Sequence, residues 1–532
     1  MRCAAIFLIF IAQISWAEDA QDLSARFAAL LKKLGGESFA DRQNASDELL
    51  QLPPEALRLI KEALELPGTD AEVKTRLRKA VPEFESLARA EEKKQVDDAI
   101  FESTMDNLVG SYKRVGKKDA KWDKLVLKGL EALAKNFTGR DSSISSLENA
   151  CILLKKAIDS GCDDPLVAYA YARTVHLSKN TDANLNLRKL HIDAVESLLK
   201  SEHSQTFKIQ GCMKAGEIIG ATEKPLQPES QNEIDRYADL ALQHARSTWT
   251  GKKLTPALKQ DVRVVVNIFS QAYAYTGNRM KGVEKLLALV KELFPESNLA
   301  GTFRGEAYVK YAWDARGSGW ASTVTDEGWK LMRERLAVAE EALTAAWKHD
   351  PKDVYPPLAM IGVELGQGKG RDVMELWFKR ACDADPGNYE VYLRKLYYLE
   401  PKWHGSEEDL LSFGKECLAS NKWAEKVPFI LVDAHNAVCR SRQNNENYFE
   451  NPNVYSDIKE VYEGYLKRFP SDHFRRSEYA KYAHYCGDWN KVHELFTILG
   501  DNADWRAFNS AMDMVKLRVD AQLKTKKQAT SK

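Results

Sequence analysis

Two stretches of this chain repeat one pattern at an offset of 35 residues, and this repeat constrains the fold more than any other feature. The segment TAAWKHDPKDVYPPLAMI (344–361) aligns with KRACDADPGNYEVYLRKL (379–396). The matched positions are a small residue and an acid–proline turn: Ala346 with Ala381, Asp350 with Asp385, and Pro351 with Pro386. A small residue lets two helices approach closely, and a proline ends one helix before the next begins. A repeat of this length predicts stacked helical hairpins.

The repeated segments resemble tetratricopeptide repeats, in which hairpins of about 34 residues stack side by side. Degenerate copies flank the pair at 155–172, 291–313 and 466–496. Because their spacing is irregular, the sequence predicts an all-α, irregular helical-repeat solenoid with insertions. The resemblance implies a concave face that binds a peptide or protein.

Residues 22–90 are predicted to form a separate helical unit. Gly35-Gly36, Pro53-Pro54 and Pro67-Gly68 interrupt short amphipathic segments and mark helix ends. The run 34–77, with its FADR and DAEVKTR segments, resembles a HEAT-type repeat module found at the N-terminus of many secreted bacterial proteins. The resemblance implies stacked helix pairs here as well.

The first residues have the pattern of an export signal. Arg2 precedes the apolar run AAIFLIFIAQI (4–14), which is too short to cross a bilayer as a stable helix. Ser15-Trp16-Ala17 then provides a small-x-small cleavage site, so we expect cleavage after Ala17. No later segment approaches the length of apolar sequence that a membrane span needs. The sequence therefore predicts an exported protein, periplasmic or extracellular, with no transmembrane segment in the mature chain.

Length and charge bound the organisation and the partners. The chain has 532 residues, more than one compact core usually holds, and Lys plus Arg equals Asp plus Glu at 77 each. A neutral balance provides no overall attraction to nucleic acid, so none is expected as a partner. The predicted segments are a signal peptide (1–17), the HEAT-like unit (22–90), a charged helix or linker (91–125), a degenerate tetratricopeptide-like region (126–300), a tetratricopeptide-like domain (301–520) and a basic disordered tail (521–532).

The stretch WHGSEED (403–409) combines chemically active residue types but is interpreted as a helix start. Ser406 is predicted to be the N-cap, with Asp409 three residues later completing a capping box. Glu407 and Glu408 would lie in the first turn, where carboxylates favour the positive end of the helix dipole. This stretch therefore predicts structure and not catalysis.

A second resemblance covers roughly residues 300–500. ARGSGWASTVTDEGWKLMRERL (315–336) and LYYLEPKWHGSEEDLLSFGKEC (396–417) resemble a bacterial domain of unknown function that carries GxGWAxTVxxEGW and YLxPxWxGS segments. This family resemblance implies a fold built on tetratricopeptide-like helices. It implies no activity.

The sequence carries no recognisable motif for catalysis, a metal or a cofactor. GQGKG (366–370) lacks the spacing and the hydroxyl residue of a phosphate loop, and HELFT (493–497) lacks the second histidine of a zinc motif. There is no G-x-S-x-G nucleophile elbow. Seven cysteines after Cys3, with no C-x-x-C spacing, indicate neither a disulfide framework nor a zinc site. No catalytic residue, cofactor or metal is predicted.

Aromatic residues provide the candidate binding surface. Nine of the twelve Trp lie from residue 313 onward. Trp and Tyr are frequent anchors in interfaces, although they also fill gaps between irregularly packed helices. The candidate partner-binding residues are Tyr308, Tyr311, Trp313, Trp320, Trp329 and Trp403. The segment GSGWASTVTDEGW is expected to be an ordered loop whose final Thr325-Asp326-Glu327 starts a helix.

These observations favour a non-enzymatic scaffold that binds a protein or peptide in the cell envelope. Two alternatives stay open. One is an envelope hydrolase acting on glycan or peptide, with its site near the loop at 313–329. The other is an architectural component that associates with itself.

Overall fold

The structure is a computed structural model that describes residues 21–141, 143–178, 185–442, 447–508 and 510–530. The predicted signal peptide, 1–17, lies outside the described residues. No β-strand occurs in the described part of the chain, so the predicted all-α class is confirmed.

The helices follow one another through short turns. In the first half they are α1 (21–34), α2 (Phe39–Leu49), α3 (Ala56–Glu65), α4 (Ala71–Met105), α5 (Ser111–Val115), α6 (Asp123–Phe137), α7 (Ile144–Asp159), α8 (Pro165–Leu177), α9 (Leu187–Leu199), α10 (Gln205–Thr222), α11 (Pro228–Trp249) and α12 (Pro256–Ala274). In the second half they are α13 (Met280–Leu293), α14 (Leu299–Arg316), α15 (Asp326–His349), α16 (Tyr355–Gln367), α17 (Arg371–Ala384), α18 (Tyr389–Tyr398), α19 (Glu407–Ala419), α20 (Ile430–Ser441), α21 (Pro452–Arg468), α22 (His473–Tyr485), α23 (Trp489–Leu499) and α24 (Ala511–Thr530).

The repeat pair forms the helices that its sequence predicts. Helices α15 and α17 end at His349 and Ala384, a spacing of 35 residues, and helices α16 and α18 begin 34 residues apart at Tyr355 and Tyr389. Asp350 and Asp385 follow the two helix ends, and both donate a backbone N–H to the carbonyl of the matched alanine. The matched alanines are buried. The helical-repeat prediction is therefore confirmed by the element boundaries.

The chain divides into two compact units. Unit 1 comprises residues up to Glu92 together with those from Gly387 onward, and unit 2 comprises Lys93–Pro386. The boundary expected at 300/301 thus falls inside unit 2. Unit 1 is discontinuous in sequence because helices from both ends of the chain pack together, as the ion pair between Lys467 and Asp47 illustrates.

The charged segment predicted as a helix or linker is helical for most of its length. Helix α4 continues to Met105, and a π-helical turn, Asp106–Gly110, leads directly into α5. A Cβ on Gly110 would stand 2.3 Å from Asp106 Oδ1, so this glycine allows the aspartate side chain to lie against the turn. The linker proper is confined to the few residues between α5 and α6.

The stretch RVVVNIF (263–269), whose β-branched residues could suggest a strand, lies in α12. Val262, Val265, Val266 and Phe269 are buried at the spacing of one helix face. The three-to-four residue period therefore decides the local structure here.

The C-terminal residues correct one sequence prediction. Residues 521–530, expected to belong to a disordered tail, continue helix α24. The physical reason is packing, because Leu517 and Ala521 are buried on the inner side of the helix. The Ser510 hydroxyl accepts a hydrogen bond from the N–H of Asp513 at 3.1 Å and caps the start of this helix.

Candidate functional site

The six aromatic candidates belong to two different units. Five lie in unit 2: Tyr308, Tyr311 and Trp313 on α14, Trp320 in the following loop and Trp329 on α15. Trp403 lies in unit 1, between α18 and α19, where its ring packs on Tyr397 with centroids 5.8 Å apart. Trp403 is therefore described separately from the five residues of unit 2.

Arginine side chains cover four of these five rings. The distances from guanidinium carbon to ring centroid are 5.1 Å for Arg304 and Tyr308, 3.3 Å for Arg335 and Tyr311, and 5.7 Å from Arg316 to both Trp313 and Trp329. All four aromatic residues are half-buried. Contacts of this type contribute about 0.5–1 kcal/mol at exposed sites and more when water is excluded. The contacts of Arg335 with Tyr311 and of Arg316 with Trp329 join α15 to α14, whereas the other two lie within α14.

The loop between these helices, residues 317–325, is here called the aromatic loop. The Arg316 guanidinium donates to the carbonyls of Gly317 at 3.1 Å and Gly319 at 2.8 Å. Gly317 has φ +72°, a left-handed conformation that favours glycine. The Thr323 hydroxyl donates to the carbonyl of Trp320 at 2.7 Å. The loop is thus ordered by its own hydrogen bonds.

The end of the aromatic loop is the start of α15. The Thr325 hydroxyl accepts from the N–H of Gly328 at 3.0 Å and caps the helix. Asp326 and Glu327 lie in the first turn, where their charges favour the helix dipole. The sequence predicted this start from the same residues.

Trp320 projects from this ordered loop into solvent. Its side chain is 82% exposed, the highest value for a large apolar side chain in the part of the chain that the structure describes. An exposed Trp on a fixed backbone has the properties of an interface anchor, since it buries a large area with little loss of conformational entropy. Trp320 is therefore the most exposed of the six predicted surface residues, and the other five are half-buried.

The structure also shows a polar cleft that sequence reasoning missed. This cleft, of about 640 Å³, lies in unit 2 between the π-helical turn, the start of α10 and the connection from α11 to α12. Its lining includes Asp106, Asn107, Arg114, His203, Lys252 and Asp261. Burial raises the pKa of Asp261 to about 6. The ion pair of Arg114 and Asp106, 2.6 Å long, lies at the same cleft.

A buried network of hydrogen bonds lies at the wall of the cleft, whose lining includes Ser111 and His203. His203 Nδ1 is 3.0 Å from Ser111 Oγ, and His203 Nε2 is 3.2 Å from Asp164 Oδ2. The N–H of Ser204 donates to Ser111 Oγ at 3.1 Å. The carboxylate requires a donor, which assigns the proton to Nε2 and leaves Nδ1 to accept from the Ser111 hydroxyl. Every member of the network then has a partner.

Asp164 has a second task in the same place. It is the N-cap of α8, and Oδ1 accepts from the N–H groups of Leu166 at 2.9 Å and Val167 at 3.1 Å. Oδ2 also accepts from the N–H of Lys117 at 2.9 Å. Burial acts to raise the pKa of Asp164, but the hydrogen bonds from His203 and Lys117 outweigh it, so the pKa lies below its usual value.

Ser111, His203 and Asp164 are hydrogen-bonded in the order of a Ser-His-Asp hydrolase triad, but through different ring nitrogens. In the triad the serine contacts Nε2 and the aspartate contacts Nδ1, whereas here the ring nitrogens are exchanged. Ser111 is only 3% exposed. We therefore interpret the three residues as a brace that joins α5, the start of α8 and the connection between α9 and α10. No local motif announces it, since 92 residues separate Ser111 from His203.

The stretch WHGSEED starts a helix in the structure. Ser406 is the N-cap of α19, and its hydroxyl accepts from the N–H of Asp409 at 3.1 Å. A Cβ on Gly405 would stand 2.3 Å from the carbonyl oxygen of Leu399, so only glycine fits this close approach. His404 stacks on Tyr398 with centroids 4.6 Å apart. Each of these residues has a packing or capping contact.

The described residues provide neither a membrane-spanning helix nor a cluster of metal ligands. None of the helices in the described part of the chain is long and apolar enough to cross a membrane. Within the same residues, no group of three or more His, Cys, Asp or Glu side chains is arranged to hold a metal ion.

Comparison with known proteins adds little to this picture. No family model matches the chain, and no curated protein matches it. Among solved structures, yeast Tom70 has 14% sequence identity and a TM-score of 0.23, covering 84% of this chain and 96% of that chain. A monomeric mutant of IFIT1 with Gppp-AAAA has 13% identity and a TM-score of 0.21, covering 86% of this chain and 95% of that chain. At these TM-scores the likenesses carry no argument, and the fold follows from the helices themselves.

Proposed function

We propose that this chain is a non-enzymatic scaffold that binds a protein or peptide segment through Trp320 of the aromatic loop. The observation that carries the proposal is the contrast among the five aromatics of unit 2. Four rings are half-buried and lie near arginine guanidinium groups, whereas Trp320 is 82% exposed on a hydrogen-bonded loop. An anchor on a fixed loop loses little entropy on binding, which favours affinity.

A protein partner is favoured over nucleic acid by charge. The chain carries equal numbers of acidic and basic residues, and the first turn after the aromatic loop carries the exposed acids Asp326 and Glu327. Two carboxylates beside the anchor repel a phosphate backbone. They instead suit an apolar peptide side chain flanked by Lys or Arg.

We also propose that the protein acts in the cell envelope after export. The apolar run 4–14, the cleavage pattern Ser15-Trp16-Ala17 and the resemblances to secreted bacterial modules support this. N-terminal sequencing of the protein purified from its native cells tests it. A mature N-terminus at Glu18 is expected, and an intact Met1 in the folded cytoplasmic pool would contradict export.

Peptide display against the purified chain tests the binding function. Trp320→Ala should abolish selection of the peptides that the unchanged chain enriches, because the anchor side chain is lost. Phe39→Ala is the matched control, since Phe39 is an aromatic residue with 68% exposure in unit 1. Both variants should melt within about 2 °C of the unchanged chain, because exposed substitutions rarely affect stability.

Three results would count against this function. One is equal peptide selection by the Trp320→Ala variant. Another is selection lost equally in the Phe39→Ala variant. The third is no enrichment at all by the unchanged chain.

A further inference from the structure

Helix α24 ends the described chain with two apolar sides. Leu517 and Ala521 are buried on its inner side, and the Lys524 ammonium lies over the Trp489 ring of α23 at 3.7 Å. The outer side of the helix is apolar as well.

The outer side of α24 carries an exposed row of apolar side chains, here called the apolar stripe. Its members and their exposed fractions are Met512 at 74%, Val515 at 50%, Val519 at 47% and Leu523 at 54%. Their spacing of three, four and four residues places them on one face of the helix. The stripe is therefore continuous over about three turns, since each turn takes 3.6 residues.

Basic residues of α24 lie on both sides of the apolar stripe. Lys516 and Arg518 flank Val515 and Val519 on opposite sides of the stripe, from their positions along the helix. Of the two acids, Asp520 is half-buried and Asp513 is exposed. Burial raises the pKa of Tyr485, and the charge of Asp513 adds to this rise. Burial and Lys524 lower the pKa of His484, and the charge of Asp520 opposes this fall.

The surrounding sequence reinforces the positive charge. Residues 511–532 contain six Lys and Arg against two Asp, whereas the whole chain is neutral. An amphipathic helix with exposed apolar residues and flanking cations has the character of an interfacial helix that lies on an anionic membrane.

A second copy of the chain fits this face less well. Four partly exposed side chains supply far less than the ~800 Å² per partner of a standard interface. Two copies paired through α24 would also bring two like-charged segments together. An anionic lipid surface accepts both the small apolar area and the excess of cations.

We propose that α24 docks the protein onto an anionic lipid surface through the apolar stripe and its flanking cations. The stripe enters the boundary between headgroups and acyl chains, and Lys516 and Arg518 contact lipid phosphates. Each signal alone gives weak binding, and the two together give stable but salt-sensitive attachment. This docking is independent of peptide binding at Trp320.

Vesicle co-sedimentation tests the proposal. The protein is used from Glu18 onward, because the apolar run 4–14 would itself enter vesicles. Vesicles of phosphatidylglycerol and phosphatidylcholine in equal parts should bind the protein, with affinity that falls as salt rises, and pure phosphatidylcholine should not. Val515→Glu with Val519→Glu should abolish binding, because two carboxylates replace the centre of the stripe.

Two further variants test the flanking cations and provide a matched control. Lys516→Gln with Arg518→Gln should weaken binding by roughly 25-fold, since each cation near an anionic surface contributes about fivefold. This variant also serves if the valine variant fails to fold. Ile152→Glu is the matched control, because Ile152 is 52% exposed on α7, and it should bind as the unchanged chain does.

Sedimentation velocity without lipid tests the alternative that the apolar stripe binds a second copy of the chain. A dimer that strengthens with salt and disappears in the Val515→Glu/Val519→Glu variant would assign the stripe to a second copy and overturn lipid docking. Absence of binding to anionic vesicles, or equal binding to phosphatidylcholine alone, would overturn it too. Salt-sensitive binding that only the α24 variants lose supports it.

Discussion

Arg89 and Glu425 form an ion pair with two hydrogen bonds although 336 positions separate them in the chain. Arg89 Nε lies 2.6 Å from Glu425 Oε1, and Nη2 lies 3.0 Å from Oε2. The Glu425 side chain is 7% exposed. Near it, Arg468 Nε donates to the buried Glu83 at 2.5 Å. These pairs join α4 to the C-terminal part of unit 1.

Removal of Glu425 should destabilise unit 1. Glu425→Ala leaves the Arg89 guanidinium facing a buried position without its carboxylate, and we expect a loss of about 2 kcal/mol, below the 3–5 kcal/mol of fully buried pairs because Arg89 is partly exposed. Hydrogen exchange of unit 1 measures this loss. Glu292→Ala, which breaks the exposed pair with Arg246, should cost less than about 1 kcal/mol. Equal losses in the two variants would show that burial of Glu425 is unimportant.

Glu364 should make the stability of unit 2 depend on pH. It is 1% exposed, both its carboxyl oxygens lack a hydrogen-bond partner within the described structure, and burial raises its pKa to about 7. The stabilisation from the raised pKa is complete below about pH 4.5 and is lost as pH rises through about 7, because the folded state binds the proton more tightly than the unfolded state.

Glu364→Gln tests this pH dependence. The variant should be more stable than the unchanged chain at pH 8, by up to about 3 kcal/mol, and similar to it at pH 4, since each pKa unit corresponds to about 1.4 kcal/mol. Urea denaturation across this pH range measures the difference. Glu341→Gln, an exposed change on α15, should leave the slope unchanged. A pH-independent difference at position 364 would refute the role of its ionisation.

His203 should act as a brace and not as a catalytic base. His203→Ala leaves the buried Ser111 hydroxyl and the Asp164 carboxylate each without one partner, and we expect a loss of roughly 3 kcal/mol, from 1–3 kcal/mol for each group. Thermal denaturation measures this loss. His244→Ala on α11 is the control, because it breaks a single hydrogen bond that is exposed to solvent. Covalent labelling of Ser111 by a fluorophosphonate, lost in the His203→Ala variant, would show a nucleophile instead.

Ser406 should contribute stability through its cap alone. Ser406→Ala removes the hydrogen bond to the N–H of Asp409 and should cost about 1 kcal/mol. Ser406→Asn should restore most of that loss, because asparagine is an equally good N-cap and, unlike aspartate, adds no second carboxylate beside that of Asp409. Peptide selection by the folded variants should match the unchanged chain. A large loss of selection without loss of stability would give this stretch a functional role.

Sequence reasoning succeeded where the cause of a structure lies within a few positions. The start of α15 depends on Thr325 and the first turn after it, and the repeat pair depends on alanines and acid–proline turns one hairpin apart. It failed at the C-terminus, where a basic composition suggested disorder and burial of Leu517 and Ala521 produced a helix. Composition describes a segment alone, whereas packing depends on its neighbours.

The candidate site shows the same division. The sequence identified an aromatic cluster, but its members looked alike, and only packing separated Trp320 from the rings that arginines cover. The brace of Ser111, Asp164 and His203 had no signal at all, because its members are ordinary polar residues in distant parts of the chain.

By itself, the sequence determined that this chain is helical, where many helices begin and end, and which segments repeat. These properties follow from side-chain period, caps and turns, which act over single helical turns. Only the tertiary structure decided that both ends of the chain form one unit through pairs such as Arg89 and Glu425, and that Trp320 and the apolar stripe face solvent. Burial and long-range pairing depend on which surfaces meet, and local sequence does not specify that.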